Sequence, residues 1–254
     1  MPVSSEDRMH DESIISRNEL NLILLIDNSY SMDGARITQV NSTMPVLNSK
    51  LIELADKYKV ELMMRVIAFS DEAVWVVGSV DKGENVNSVV WPNLDVVGGT
   101  STPKAIYEAN KCLRASYLIP DSSKDDREGN RVLPPVVILI TDGYCNPGEH
   151  SAYLDAIDEM KKRLAGNTGK EKVIRIAVGV VDYNRDELVE FATSGIYKDV
   201  KQPFVFEVDS AEKLGEVIQW VVPTSIIASI SSINPDNAGV PDMGDPDFVN
   251  DFVD

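Results

Sequence analysis

The sequence predicts an α/β protein built on an open, doubly wound, mostly parallel sheet with one antiparallel edge strand and helices on both faces. Residues 22–26 (LILLI) and 136–140 (VVILI) are short unbroken apolar runs rich in branched side chains, and 173–180 (VIRIAVGV) is nearly one. Such runs suit strands buried on both faces, hence a parallel sheet covered by helices. Between them, apolar residues recur at spacings of three and four, the stripe of an amphipathic helix. Strand and helix alternate as βα, ββα and then βαβα. A sheet of that kind carries its ligand site at the carboxyl ends of the strands, at the switch point where helices leave in opposite directions.

Residues 22–26 give the first strand. Ile37, Val40, Met44, Leu47, Leu51, Leu54 and Tyr58 then form one apolar stripe. The helix they predict should kink at Pro45, which lacks a backbone donor. Residues 60–69 and 73–80 read as strands, and the short Ser70-Asp71-Glu72 link pairs them as an antiparallel hairpin with 73–80 at or near an edge. Thr102-Pro103 reads as an N-cap followed by Pro in the first turn, opening a helix with Ile106, Ala109, Leu113 and Tyr117 on its apolar side. Residues 121–131 (DSSKDDREGNR) form a polar loop before 136–140. A helix near 151–165 carries Leu154, Ile157, Met160 and Leu164, and a short one covers 185–192. Asp209-x-x-Glu212 has the pattern of a capping box, opening a helix with Leu214, Val217, Ile218 and Val221 on one face.

The composition excludes several functions. Of 254 residues, 43% are apolar, and 24 basic residues against 41 acidic ones give a net charge of −17. That balance argues against nucleic acid, whose phosphates need clustered Lys and Arg, and against anionic membranes. No apolar run approaches the ~20 residues that span a bilayer. The first twenty residues lack the apolar core of a secretory signal, so the expected location is cytoplasmic. Cys112 and Cys145 alone make neither a disulfide framework nor a Cys-based zinc site. One domain over 20–232 is expected between a flexible tail, 1–19, and a disordered acidic tail, 233–254. Residues 234–254 hold six Asp, three Pro and no basic residue. Too little apolar surface is available there to offset ordering. Phe248, Val249, Phe252 and Val253 leave open a short linear motif.

Three segments place oxygen ligands at the expected edge. Asp27-Asn28-Ser29-Tyr30-Ser31 follows the first strand, and the alternate Ser29 and Ser31 can turn two hydroxyls toward one point. Gly98-Gly99-Thr100-Ser101-Thr102 leads into the Thr102-Pro103 helix. Thr141-Asp142-Gly143 ends the 136–140 strand. Each is ordinary alone: a strand-end Asp caps helices, and Ser and Asp-Gly populate turns. Together they offer two carboxylates and three hydroxyls, the donor set a hard divalent ion such as Mg²⁺ prefers.

Asp27-x-Ser29-x-Ser31, then Gly99-Thr100-x-Thr102, then Asp142-Gly143 resembles, in order and interval, the metal-ion-dependent adhesion site of von Willebrand factor A (VWA) domains, over about residues 20–232. The resemblance implies a Rossmann-like VWA fold without catalysis. It implies Mg²⁺ or Mn²⁺ held by Asp27, Ser29, Ser31, Thr100 and Asp142, with Thr100 taken over Thr102 because the latter fits an N-cap. It also implies a partner protein that donates a Glu or Asp to the open metal position. Asn28, Tyr30, Ser101 and Tyr144 surround that position and would set specificity. Asn28 and Tyr30 depart from the small residues frequent there, and Tyr30 could partly cover the metal.

Within the superfamily the chain is most similar to stand-alone bacterial VWA proteins of the tellurium-resistance type. The grounds are its compact length, the Ala68-Phe69-Ser70-Asp71 segment and the small residues between Trp220 and Ser232. That implies a cytoplasmic stress-response complex with a Ser/Thr kinase or phosphatase, the chain itself being monomeric alone. Two rivals stand beside this reading: a Mg²⁺-dependent phosphohydrolase using Asp27 or Asp142, and a metal-independent scaffold. Against an enzyme, there is no Gly-x-Ser-x-Gly elbow. Residues 166–170 (GNTGK) are too short for a phosphate loop. An aspartyl phosphatase needs a second Asp where Ser29 stands. Cys145 reads as a turn residue, Cys112 as core, His150 as a surface or helix-entry residue, and Trp75, Trp91 and Trp220 as anchors.

Overall fold

The computed structural model describes residues 18–114, 132–143, 145–164, 173–181, 183–197 and 200–232. Its centre is β1 (Asn18–Asp27), whose last eight residues are fully buried. It pairs in parallel with β2 (Val60–Phe69) on one side and β5 (Val136–Thr141) on the other. Beyond β2 lies β3 (Ala73–Val77), antiparallel and at the edge; beyond β5 lie β6 (Ile174–Val180) and β9 (Val205–Val208), both parallel. The order is β3-β2-β1-β5-β6-β9, the mostly parallel sheet with one antiparallel edge strand that the sequence predicts. The link after β2 is a tight turn in which the Ser70 N–H donates to the Glu72 carbonyl at 2.9 Å.

Alternation along β1 assigns the two faces. Leu20, Leu22, Leu24 and Ile26 enter one core with α1 (Ala35–Tyr58) and α5 (Ala211–Ser232). Ile23 and Leu25 enter the other with α2 (Thr102–Leu113), α3 (His150–Leu164) and α4 (Arg185–Phe191). The predicted stripe on α1 is buried at Ile37, Val40, Met44, Leu47 and Leu51. The helix continues through Pro45, which lies on its exposed side.

Several local expectations are corrected. The N-cap of α2 is Ser101, and Thr102 is already helical. At α5 the capping oxygen belongs to Ser210, whose Oγ accepts the Lys213 N–H at 3.3 Å, rather than to Asp209. Although it contains no unbroken apolar run of bilayer-spanning length, α5 is by length and composition long and apolar enough to cross a membrane. It is a core helix here: Leu214, Ile218, Val221, Val222 and Ile226 are fully buried against the sheet and α1. The two-residue β4 (Glu84–Asn85), which pairs with β2, was not anticipated, nor was the separate hairpin of β7 (Ser194–Tyr197) and β8 (Val200–Pro203). Residues 18 and 19 belong to β1 rather than to a tail. The remaining tail residues and the 121–131 loop lie outside the described residues.

Candidate metal centre

Helix α1 follows β1 onto one face and α3 follows β5 onto the other, so the switch point falls between these neighbouring strands. Their carboxyl ends bring Asp27 and Thr141-Asp142 side by side. Past Asp27 the chain stays tied to its neighbours: the Asn28 N–H donates to the Phe69 carbonyl at 2.9 Å, then a single 3-10 turn covers Tyr30–Met32. The second loop is laced to the first by Tyr30 N–H to Gly98 carbonyl (3.1 Å) and Val97 N–H to Asn28 carbonyl (2.8 Å). Glycine suits position 98, because its φ is +62° and a Cβ would lie 2.2 Å from Asp71 Oδ2, forcing that side chain aside. The third loop joins through Asn146. Its N–H donates to the Thr100 carbonyl at 2.8 Å, and its Oδ1 accepts the Thr100 N–H at 3.0 Å.

The side chains form a connected array. Asp27 is fully buried; one carboxylate oxygen accepts the Ser29 N–H (2.8 Å), the other the Thr141 hydroxyl (2.6 Å). Burial pushes its pKa up from 3.8 to about 6, despite these hydrogen bonds, which favour the charged form. Ser29 Oγ and Ser31 Oγ are 2.9 Å apart, and Ser31 Oγ donates to Asp142 Oδ1 at 2.6 Å. The other oxygen of Asp142 takes an ion pair with Arg36, whose Nη1 also donates to the Ser31 carbonyl at 2.8 Å. Thr100 comes to the same place: a Cβ on Gly143 would lie 3.3 Å from Thr100 Oγ1 and 3.8 Å from Ser31 Oγ.

The five residues expected to hold a metal are therefore gathered in one place. Ser29, Ser31, Thr100 and Asp142 are joined by hydrogen bonds or converge beside Gly143, and Asp27 braces Ser29 from beneath. An all-oxygen set of three neutral hydroxyls and two carboxylates fits Mg²⁺ or Mn²⁺, and the glycine leaves the cradle open. Of the expected partner-contact residues, Tyr30 is 68% exposed and Asn28 half-buried, its amide on the Asp95 carbonyl at 2.8 Å. Ser101 is not at the surface: it is 1% exposed beneath the start of α2, so a partner cannot reach it. Tyr144 lies outside the described residues. Sequence reasoning missed Thr141 as an Asp27 donor, Asn146 as the clasp on Thr100, and Arg36. Only Arg36 left a signal, a cation in the first turn of a helix, where the macrodipole disfavours it.

A family model for the von Willebrand factor type A domain matches residues 21–220. No curated protein sequence matches the chain. Among solved structures, proximal thread matrix protein 1 from the mussel byssus is similar at 19% identity and a TM-score of 0.52, over 82% of this chain and 46% of that one. The same mussel protein with a zinc-occupied MIDAS motif is similar at 20% identity and a TM-score of 0.50, with the same coverage. A von Willebrand factor type A protein from Catenulispora acidiphila is similar at 16% identity and a TM-score of 0.53, over 82% of this chain and 42% of that one. The chain thus spans less than half the length of each, and at these identities the likeness concerns the fold.

Proposed function

The chain belongs to the von Willebrand factor type A domain family, and from that premise we propose that it is a non-catalytic binding module whose metal centre captures a carboxylate of a partner protein. Domains of this family commonly mediate metal-dependent protein interactions and are generally not enzymes. The observation that carries the reading is the continuous array Ser29–Ser31–Asp142 set over a buried Asp27. Mg²⁺ or Mn²⁺, held by Ser29, Ser31 and Thr100 with Asp27 and Asp142 direct or through water, would supply a positive charge with a position open to an anionic ligand. Tyr30, exposed beside it, offers apolar area with a polar tip, the usual make-up of an interface anchor. The mussel structure with zinc in the corresponding motif supports metal binding at this place in the fold.

Asp27 is poorly placed to attack a phosphate ester, since it is fully buried and both its oxygens accept hydrogen bonds. That favours binding over phosphohydrolysis. We further propose a cytoplasmic stress-response setting of the tellurium-resistance type, with a Ser/Thr kinase or phosphatase as the associated partner and the chain monomeric alone. Capture of the co-purifying partner should need Mg²⁺, fail in EDTA and fail in Asp142→Ala. Losing one member of a buried charge pair typically costs about 2–5 kcal/mol. Capture that is indifferent to EDTA and to Asp142→Ala would instead favour the metal-independent scaffold. Turnover of phosphate esters abolished by Asp27→Ala would favour the hydrolase.

A further inference from the structure

Cys145, His150 and Glu187, the first two of which read singly as a turn residue and a helix-entry residue, come together from three elements. Cys145 lies on the loop after β5, His150 begins α3, and Glu187 lies in the first turn of α4. One ligand atom from each falls within 4.8 Å of the others. Cys145 Sγ is 3.2 Å from Glu187 Oε1, and His150 Nδ1 is 3.5 Å from that same oxygen. Zinc bonds of about 2.0–2.3 Å at the tetrahedral angle separate two ligand atoms by roughly 3.3–3.8 Å, so both spans are within a few tenths of an ångström of a coordination edge.

The cluster is built rather than incidental. The Glu187 carboxylate is almost wholly buried, and its Oε2 accepts the Cys145 N–H at 3.2 Å, which leaves Oε1 aimed at the thiol and the imidazole. The Tyr153 hydroxyl donates to the Glu187 carbonyl, and Asn184 caps the helix beneath it. Glu149 contributes a second acidic group, whose Oε2 is buried without a hydrogen-bond partner. The Cys145 thiol is pushed up to about 12, first by burial and then by the hydrogen bond and charge of Glu187, with Glu149 adding to it. The charge of both carboxylates is thus felt at the thiol, and the largely exposed imidazole of His150 is the one cationic group in ion-pair range of Glu187 among the described residues.

We propose that Cys145, His150 and Glu187 form a second metal centre for a borderline-soft divalent ion of the Zn²⁺ class, distinct from the oxygen-lined site at Asp142. Sulfur, nitrogen and oxygen donors select Zn²⁺ over Mg²⁺. Binding displaces the thiol proton to solvent, one proton per ion. The ion would brace the loop that runs from Asp142 through Asn146 to α3, and Asn146 is the residue that clasps Thr100. The proposal does not rest on the oxygen-lined site being occupied.

Co²⁺ titrated into the metal-free full chain reports thiolate ligation by its sulfur-to-cobalt charge-transfer band. The band should saturate at one equivalent, persist in Asp142→Ala, vanish in Cys145→Ser and be displaced by Zn²⁺. In His150→Ala, a change at a surface residue that leaves the fold intact, half-saturation should move at least about tenfold higher. A wild-type chain with no band overturns the proposal. So does a band that survives Cys145→Ser, which would place the ion on Cys112, or one lost in Asp142→Ala, which would merge the two sites. An unchanged titration in His150→Ala also overturns it.

Discussion

Asp142 is the residue on which opposing charges meet. Ser31 holds one of its oxygens and Arg36 the other, so an ion bound at Asp142 competes with the guanidinium for the same carboxylate. Arg36→Gln should therefore tighten Mg²⁺ binding. For a pair that is one-quarter exposed at the arginine, the gain should be about 1 kcal/mol, or roughly fivefold in Kd. Calorimetric titration that finds equal or weaker binding in the variant would show that Arg36 does not compete. Asp27 makes a separate prediction about pH. Its folded pKa, raised by burial to about 6, lies above the ordinary 3.8 expected when unfolded. Its contribution to the metal-free fold is therefore most favourable below about 4 and is lost as pH rises through about 6. The total is on the order of 3 kcal/mol. The difference in unfolding free energy between wild type and Asp27→Asn, followed from pH 4 to 7, should change in that sense. A difference that does not vary with pH would contradict the buried-charge account.

At the scale of elements, burial sets where the sheet is vulnerable. Leu24, fully buried on the central strand, should cost about 2–5 kcal/mol on conversion to alanine. Val74, 56% exposed on the edge strand β3, should change stability by no more than about 0.5 kcal/mol. Urea denaturation of the two variants checks the contrast. The elements legible in the sequence were those with a helical period, a dense apolar run or a short turn beside one: β1, β2, β3, β5, β6 and the helices α1 to α5. Those that were not have no periodicity to read. β4 has two residues, β7 and β8 are short, partly polar and end at Pro203, and β9 has four residues whose place is set by pairing with β6. Helix starts slipped by a residue or so because adjacent Ser, Thr and Asp are all competent caps, and only the backbone decides which one serves. The candidate site was legible in its five oxygen-bearing residues because all sit at strand ends or in the loops beside them. Its supports, Thr141, Asn146 and Arg36, act across loops distant in sequence, and Ser101 is buried by packing that the sequence does not display.

At the scale of the whole molecule, the sheet's switch point, the three laced loops and the buried Asp27 meet at one oxygen-lined edge on a chain of net charge −17. Distant surface carboxylates act only weakly there, screened over ~8 Å at physiological salt, and a bound ion would set the local sign of the field. An ion that binds the folded chain alone stabilises it by about 2.7 kcal/mol at a hundredfold excess over Kd. The most direct measurement is therefore thermal unfolding of the full chain with and without Mg²⁺, for wild type and Asp142→Ala side by side. The account predicts a Mg²⁺-dependent rise in Tm for wild type and none for Asp142→Ala, whose metal-free Tm stays close to wild type. An equal rise in both would place the ion elsewhere and contradict the account.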